Sequence, residues 1–268
     1  MVNFTSKDRY SYEDLLEIMR ILRAPGGCPW DAAQTHGSIL RNFQEETYEF
    51  CEAAQADDPA HMCEELGDVL MQVVFHARIE EERGRFCMED VCDGICRKMI
   101  FRHPHVFGAA HCDTPDEVLT TWDAVKREEK DQRTVTDTLN AVARNLPALW
   151  RAEKIERKAA KAGFHWASVR GALAKLEEEV HALRAAVEAG EGQEEELGDL
   201  LLAACAVASR LEADPEAALH AACEKFIRRF ARVEESAGEQ ALTGLSEAEL
   251  SALWQRAKSE TTKEKDAT

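Results

Sequence analysis

The sequence predicts an all-α protein built from two tandem helical repeats, and three observations support this prediction. Apolar residues recur at spacings of three and four along most of the 268 residues, as they do in amphipathic helices. Sustained alternation of apolar and polar residues, which marks half-buried strands, is nearly absent. A set of charged and aromatic residues also returns in the same order about 130 positions later, which indicates a tandem duplication.

Helix breaks and caps divide the first repeat into five predicted helices. Ser11 caps the first helix, which ends at the proline- and glycine-containing segment 25–29. Asp58 and Pro59 fit the N-cap and the first position of the third helix, which ends near residue 84. The other predicted helices cover 42–56, 88–101 and about 114–130.

The duplication sets the predicted domain boundaries. The first repeat covers residues 1–131 and the second covers 132–260, with the polar stretch 131–137 as the candidate linker. We expect a disordered tail over 261–268, because this segment is polar and charged. The matching residues are Glu46 with Glu179, Glu65 with Glu196, Asp68 with Asp199, Lys98 with Lys225, Arg102 with Arg229, Trp122 with Trp254 and Lys126 with Lys258.

Composition limits the partners of the protein. The formal net charge of −18 argues against a nucleic-acid polymer, because phosphate backbones bind basic surfaces. No run approaches the roughly 18 apolar residues that a membrane span needs, and the N-terminus lacks a secretory pattern, so we expect a cytoplasmic protein.

The nine cysteines include no Cys-x-x-Cys pair and are typical of reduced, packed residues. Cys92, Cys96, His103 and His105 have the residue types of a zinc site, a weaker alternative.

Two pairs of carboxylates give the strongest functional signal. Glu46 and Glu49 lie three residues apart on one predicted helix, and Glu65 and Asp68 have the same spacing on the next. If these helices pack antiparallel, both pairs face one groove, and the repulsion between their carboxylates favours binding of a cation. Carboxylate oxygens are hard ligands that suit Mg²⁺ or Mn²⁺. Glu45, beside this set, is a candidate proton acceptor during catalysis.

Two other interpretations of the acidic residues are weaker. A solvated helix face would explain Glu45, Glu46 and Glu49 alone, because glutamate is a good helix former. It does not explain a Glu-x-x-Asp motif that lies inside an apolar helix and recurs in the second repeat. A di-iron helical bundle needs Glu-x-x-His on two helices, and the sequence provides that spacing once, at Glu178 and His181.

Basic residues downstream of the acidic pairs are candidate phosphate ligands. Lys98 and Arg102 lie one helical turn apart, as do Trp122 and Lys126. Lysine and arginine bind phosphate oxygens, and tryptophan packs against a base or sugar. Arg102 would also suit a surface ion pair and Trp122 the core, but the return of the whole set in the second repeat favours binding.

These motifs closely resemble the MazG family, over nearly the whole chain from about residue 10 to 260. The resemblance rests on the segments 27–31 (Gly-Cys-Pro-Trp-Asp), 34–36, 45–49, 65–68 (Glu-Leu-Gly-Asp), 102–107, 122–126, 146–149 and 225–229. It implies an all-α nucleotide pyrophosphohydrolase fold in which helices of two subunits build each site, and hence a homodimer. It also implies Mg²⁺-dependent hydrolysis of nucleoside and deoxynucleoside triphosphates to the monophosphate and pyrophosphate, which would cleanse the nucleotide pool.

The resemblance also assigns roles by position, and it exposes one departure. It implies that the metal ligands are Glu46, Glu49, Glu65 and Asp68 in the first repeat, and Glu179, Glu196 and Asp199 in the second. It makes nucleotide contacts of Lys225, Arg229, Trp254 and Lys258. The fourth ligand of the second repeat falls on Ala182, whose methyl group cannot bind a metal ion, so we expect a complete first site and an impaired second one.

The missing ligand keeps two alternative functions open. A non-catalytic regulatory partner that binds nucleotide and metal would tolerate Ala182. An enzyme of the same chemistry that acts on one damaged or unwanted nucleotide is the other alternative. The complete set of carboxylates in the first repeat favours an enzyme.

Overall fold

The computed structural model describes residues 4–111, 114–115, 117–118, 122, 132–238 and 242–266, with side chains described to residue 261. Every regular element in these residues is helical, which confirms the predicted all-α fold. Most of the predicted fifth helix, including Lys126, lies outside the described residues. The chain divides into two compact units, Met1–Lys126 and Arg127–Thr268.

The helices follow one another with short connections in both units. The first unit contains α1 (Tyr12–Arg23), α2 (Pro29–Ala33), α3 (His36–Gln55), α4 (Pro59–Glu82), α5 (Met88–Arg102) and α6 (Pro104–Phe107). The second contains α7 (Val135–Asn140), α8 (Ala148–Lys161), α9 (Val169–Ala189), α10 (Gln193–Arg210), α11 (Pro215–Ala237), a 3₁₀ turn at Leu242–Gly244, and α12 (Glu247–Asp266). Within the described part of the chain, no helix has both the length and the apolar composition needed to cross a bilayer.

Capping side chains explain where the main helices begin. Ser11 caps α1, and Asp58 caps α4 with Pro59 in the first position, as the sequence predicts. Thr35 accepts a hydrogen bond from the backbone N–H three residues later, so α3 begins earlier than predicted. Asp214 caps α11 in the same way as Asp58 caps α4.

Helices α3 and α4 form the main pair of the first unit, and α1 packs against α4. Their shared core consists of Met19 from α1, Ile39 from α3, and Val74, Phe75 and Ile79 from α4. The loop between α3 and α4 is short, so the two helices run antiparallel. The core lies in one part of the pair. The acidic residues begin about two turns after the core residue Ile39 on α3 and about two turns before the core residue Val74 on α4.

Helices α9 and α10 form the corresponding pair of the second unit, and α8 packs against α10. The buried apolar residues of this pair are small: Ala172, Ala203, Cys205 and Ala206. Helices α11 and α12 form a further pair, and α11 also contacts α8. The second unit therefore repeats the helix pair of the first with smaller side chains in its interior.

The end of the chain corrects one prediction. Helix α12 continues to Asp266, whereas the sequence predicts a disordered tail from residue 261. The Thr261 hydroxyl accepts a hydrogen bond from Arg229 Nε at 3.2 Å and donates to the Ala257 carbonyl at 2.9 Å. Extending an existing helix needs no new nucleus, so these contacts continue α12 into a segment that composition alone assigns to disorder.

Candidate active site

Three carboxylates from two helices meet in the first unit. Glu46 and Glu49 lie one turn apart on α3, and Glu65 lies on α4. One oxygen atom from each residue lies within 4.8 Å of the other two, a spacing suited to ligands of one cation. Asp68, one turn after Glu65, is close enough for its charge to raise the pKa of Glu46. We call these four residues the first acidic cluster.

Glu65 contributes the most deeply buried oxygen of the first acidic cluster. Only 7% of the residue is exposed. Its Oε1 pairs with Nε2 of His61, one turn earlier on α4, at 2.9 Å. Its Oε2 is buried and has no hydrogen-bond partner among the described residues. Because an unpaired buried oxygen costs folding free energy, this atom favours a ligand that can pair with it.

The environment of Glu46 also favours a positive charge. Burial raises the pKa of Glu46, and the nearby charges of Asp68, Glu49 and Glu65 raise it further. A hydrogen bond from the Gln72 side chain acts in the opposite direction and lowers this pKa. The ionised form of Glu46 is therefore disfavoured until a cation offsets the surrounding charges.

These features fit a divalent cation at the first acidic cluster. Its candidate ligands are all carboxylate oxygens, which bind Mg²⁺ and Mn²⁺ in preference to softer metals. The buried Oε2 of Glu65 lacks a protein partner within the described residues. A Cβ atom added at Gly67 would meet nothing within 4 Å, so the helix surface between Glu65 and Asp68 is open to a ligand.

Glu45 lies beside the first acidic cluster and has a different partner. It belongs to α3, next to Glu46, and 53% of its side chain is exposed. Its Oε1 accepts a hydrogen bond from Nε of Arg41 at 3.1 Å. Exposed ion pairs contribute little free energy, so this contact does not fix Glu45 in place.

A second acidic cluster lies in the second unit. Oxygen atoms of Glu179 on α9, and of Glu196 and Asp199 on α10, lie within 4.8 Å of one another. Lys175 Nζ lies 2.5 Å from Glu179 Oε1, so a protein cation already balances part of the charge. Ala182 follows Glu179 by one turn at the position of the fourth ligand. Fewer carboxylates and a nearby ammonium group both reduce the uncompensated negative charge that would favour a metal ion.

A cavity of about 450 Å³ adjoins the second cluster. It is lined by Glu179, Asp199 and Lys175, and by the segment 163–166 that follows α8. Glu156 also lines the cavity, and burial raises its pKa. Concave sites of this size are typical of small-molecule binding.

The basic candidates of the first unit lie near the end of α5 and beyond it. Lys98 is exposed, whereas Arg102 is buried. Lys98 makes no hydrogen bond or ion pair with the first acidic cluster among the described residues. The Trp122 ring lies 6.5 Å from the ring of His103. Lys126 lies outside the described residues, so its predicted contact stays a prediction.

The basic candidates of the second unit share the α11–α12 pair. Trp254 on α12 packs on the ring of Phe226 on α11, with centroids 5.0 Å apart. Lys225 is exposed next to Phe226, and Arg229 one turn later binds Thr261 on α12. Lys258 is half-buried, one turn after Trp254. The four predicted nucleotide contacts of this repeat therefore lie on two helices that pack together.

Known proteins share the sequence of this chain over most of its length. Residues 34–107, which include the first acidic cluster, match the MazG nucleotide pyrophosphohydrolase domain. The nucleoside triphosphate pyrophosphohydrolase of Escherichia coli strain K12 is 41% identical over 251 residues, which cover 91% of this chain and 95% of the relative. The nucleoside triphosphate pyrophosphohydrolase/pyrophosphatase MazG of Thermotoga maritima is 41% identical over 249 residues, covering 92% and 95%. The chain belongs to the MazG family.

Membership of the MazG family confirms the predicted enzyme class. The chain is a hydrolase of the nucleoside triphosphate pyrophosphohydrolase type, and its similarity to other MazG proteins extends over both repeats. MazG enzymes generally depend on a divalent metal, and each unit contains a cluster of carboxylates that could hold one. In this MazG protein the first cluster has four carboxylates and the second has three, one of which pairs with Lys175.

Sequence reasoning missed four polar residues around the MazG carboxylates. His61 and Gln72 contact ligand residues of the first cluster, and Lys175 contacts one of the second. His76 pairs with His36 across α3 and α4. Helical spacing offered a signal for three of them, because His61, Gln72 and Lys175 each lie four residues from an acidic site residue on the same helix.

Proposed function

We propose that the first acidic cluster is a Mg²⁺ site that hydrolyses nucleoside and deoxynucleoside triphosphates to the monophosphate and pyrophosphate, a reaction that cleanses the nucleotide pool. The observation that supports this most strongly is Glu65, which has a buried Oε2 with no partner among the described residues and a carboxylate within 4.8 Å of oxygen atoms of Glu46 and Glu49. Such an arrangement is costly in a protein that binds no cation.

Glu46, Glu49, Glu65 and Asp68 would hold the metal. When bound, Mg²⁺ supplies positive charge to phosphate oxygens and makes a coordinated water more acidic. Glu45 would accept the proton of the attacking water, because its exposed pair with Arg41 is easily exchanged. The water oxygen forms a bond to the α-phosphorus, the bond to the bridging oxygen breaks, and pyrophosphate leaves.

Basic residues would balance the negative charge of the leaving pyrophosphate. We assign this role to Lys98, Arg102 and Lys126 in the first repeat, with Trp122 against the base or sugar. In the second repeat Lys225, Arg229, Trp254 and Lys258 would contact nucleotide in the same way. The exposed position of Lys98 leaves it accessible to a substrate or a second subunit.

We further propose that the protein is a homodimer. Leu66 and Leu70 are exposed on α4, and the corresponding Leu197 and Leu201 are exposed on α10. Large apolar residues at matching exposed positions on both helix pairs favour burial against another helix surface. A homodimer would also bring basic residues of one subunit to the acidic cluster of another.

A pyrophosphate-release assay tests the proposed function. Purified protein is incubated with a panel of nucleoside and deoxynucleoside triphosphates, with Mg²⁺ or with excess chelator. We expect Mg²⁺-dependent release of pyrophosphate with several nucleotides, and its loss in Glu65→Gln. Release with a single nucleotide would indicate the narrower enzyme. Nucleotide binding with no release under any condition would indicate the regulatory alternative and contradict the proposal.

A further inference from the structure

Two histidines join the helices of the main pair in the first unit, outside the acidic cluster. His36 is the first residue of α3, and His76 lies in the second half of α4. Their Nδ1 atoms are 2.7 Å apart, and the two rings are nearly parallel, with an angle of 7° between their planes and 5.0 Å between their centroids. A separation of 2.7 Å is that of a hydrogen bond in which one Nδ1 donates and the other accepts.

Glu80 fixes the outer nitrogen of this pair. Nε2 of His36 lies 2.7 Å from Oε1 of Glu80, a buried residue of α4. Glu80 also pairs with Arg83 at 2.8 Å and with Arg85 at 3.2 Å. The hydrogen bond from His36, together with the two arginines, holds the pKa of Glu80 below its usual value. Glu80 therefore stays ionised in mildly acid solution, and Nε2 of His36 donates to it.

The histidine pair can hold one extra proton but not two. If His36 is neutral, His76 donates Nδ1–H to it, and if His36 is a cation, it donates Nδ1–H to His76. A second extra proton would place two Nδ1–H groups against each other and two positive charges side by side. Burial lowers the pKa of His76, and the charge of His36 lowers it further. Nε2 of His76 is buried without a hydrogen-bond partner among the described residues, so no acceptor there would stabilise a charged ring.

The neighbouring helices contribute no charge that would compensate the second proton. Within the described part of the chain, neither α1 nor α5 makes a hydrogen bond or ion pair with the two histidines. Arg23 of α1 pairs instead with Glu82 at 2.8 Å and donates to the backbone carbonyls of Asp31 and Gln34, just before α3. A guanidinium stays charged at every accessible pH, so Arg23 keeps its hold on this segment in acid.

The second repeat forms the corresponding helix pair with valine at both positions. The correspondence that matches Glu46 with Glu179 matches His36 with Val169, the first residue of α9. The correspondence that matches Asp68 with Asp199 matches His76 with Val207 on α10. Helices α9 and α10 pack together with these residues. A titratable link is therefore present in one repeat and absent from the other, although both repeats form the pair.

We propose that His36 and His76 form a pH-sensitive latch between α3 and α4, which is closed while the pair holds at most one extra proton and opens when both rings are charged. The open state binds more protons than the closed state, so a fall in pH below about 6.5, the ordinary histidine value, favours opening. Opening separates the start of α3 from α4 in the first unit alone. The latch contains no residue of the acidic cluster and does not depend on the proposed metal site.

Hydrogen–deuterium exchange of the full chain, followed by mass spectrometry between about pH 7.5 and about pH 5.5, tests the latch. The protein is kept in chelator without nucleotide, and each rate is divided by the intrinsic exchange rate at that pH to give the opening equilibrium. Because opening takes up one proton, we expect this equilibrium at residues 39–43 of α3 to rise by up to about tenfold per pH unit below about 6.5. Peptides from the matching part of α9 should show no such rise.

The double variant His36→Val/His76→Val copies the second repeat and is the matched control. It should remove most of the pH dependence at the start of α3. Protonation of the acidic cluster acts in the parent and in the variant alike, so the difference between them reports the latch. A pH-independent opening equilibrium at residues 39–43 of the parent would overturn the proposal, as would an equal rise in α9 or an undiminished rise in the variant. The comparison of α3 with α9 within the parent decides the question even if the variant does not fold.

Discussion

The two acidic clusters predict different responses to the loss of one carboxylate. Glu49→Gln preserves the shape of the side chain and removes one charge from the cluster that contains Glu46 and Glu65. Without metal, this removes a repulsion that raises the pKa of Glu46, so the metal-free protein should be slightly more stable. With metal, it removes a ligand charge, so turnover and metal affinity should fall.

The exposure of Glu49 limits how far turnover should fall in Glu49→Gln. Two unit charges about 4 Å apart interact by about 4 kcal/mol at an effective dielectric constant near 20. Glu49 is exposed, so water screens part of this interaction and the full value overstates the loss. We therefore expect a fall in turnover of at least about tenfold, which corresponds to about 1.4 kcal/mol of transition-state stabilisation. Glu52→Gln, which removes the same charge one turn later on α3, should leave turnover near the parental value.

The second cluster should be less sensitive to the same change. Glu196→Gln acts where Ala182 already removes one ligand and Lys175 already pairs with Glu179, so its effect on turnover should be smaller. Steady-state pyrophosphate release at saturating Mg²⁺ measures both variants. Near-parental turnover in Glu49→Gln together with collapse in Glu196→Gln would refute the assignment, because the second repeat would then be the catalytic one. Ala182→Glu should strengthen Mn²⁺ binding in the second repeat.

Three further predictions concern metal, assembly and pH. Excess chelator should abolish pyrophosphate release and Mg²⁺ or Mn²⁺ should restore it, because the proposed ligands are all carboxylates; full activity in chelator would exclude the mechanism. Light scattering at micromolar concentration should give the mass of a dimer, and a monomer would contradict the proposed assembly. Burial and the neighbouring His36 lower the pKa of His76, so the unfolded chain binds a proton first as the pH falls. The melting temperature should therefore drop as the pH falls below about 6.5, the ordinary histidine value, and His76→Val should reduce this slope; an equal slope in the variant would exclude His76 as its source.

Much of the fold was predictable because its signals are local. Capping residues such as Ser11 and Asp58 and the periodicity of apolar residues depend on a few neighbouring positions, and both caps lie where the sequence predicts them. The predicted tail from residue 261 was wrong because the helix there depends on a partner in another element. Arg229 lies far from Thr261 in sequence, and the composition of the tail does not predict their contact.

The candidate site shows the same division between local and non-local signals. The pairs Glu46 with Glu49 and Glu65 with Asp68 are visible as helical spacings. The structure brings oxygen atoms of Glu46, Glu49 and Glu65 within 4.8 Å of one another, with Asp68 close enough to raise the pKa of Glu46. Burial is not visible in this way. Gln72 lies four residues after Asp68, but nothing in the sequence shows that its side chain is buried.

The contrast between the repeats is visible in the polar residues that each helix pair buries, which are Glu65, Gln72 and Glu80 in the first and Glu179 in the second. Gln72, His76 and Glu80 lie along α4, and the corresponding residues of the second repeat are Ala203 and Val207 on α10 and the exposed Leu211 just after it. Apolar residues at these positions avoid the cost of desolvating polar atoms, and the α9–α10 pair forms with them. The unpaired oxygens of Glu65 and Gln72 therefore represent stability given up in the first unit only. That cost is explained if a bound metal restores the lost interactions, because a ligand that binds the folded state alone adds its binding free energy to stability. The second unit lacks the complete set of carboxylates, because Ala182 stands at the fourth position, and this is why we place catalysis in the first.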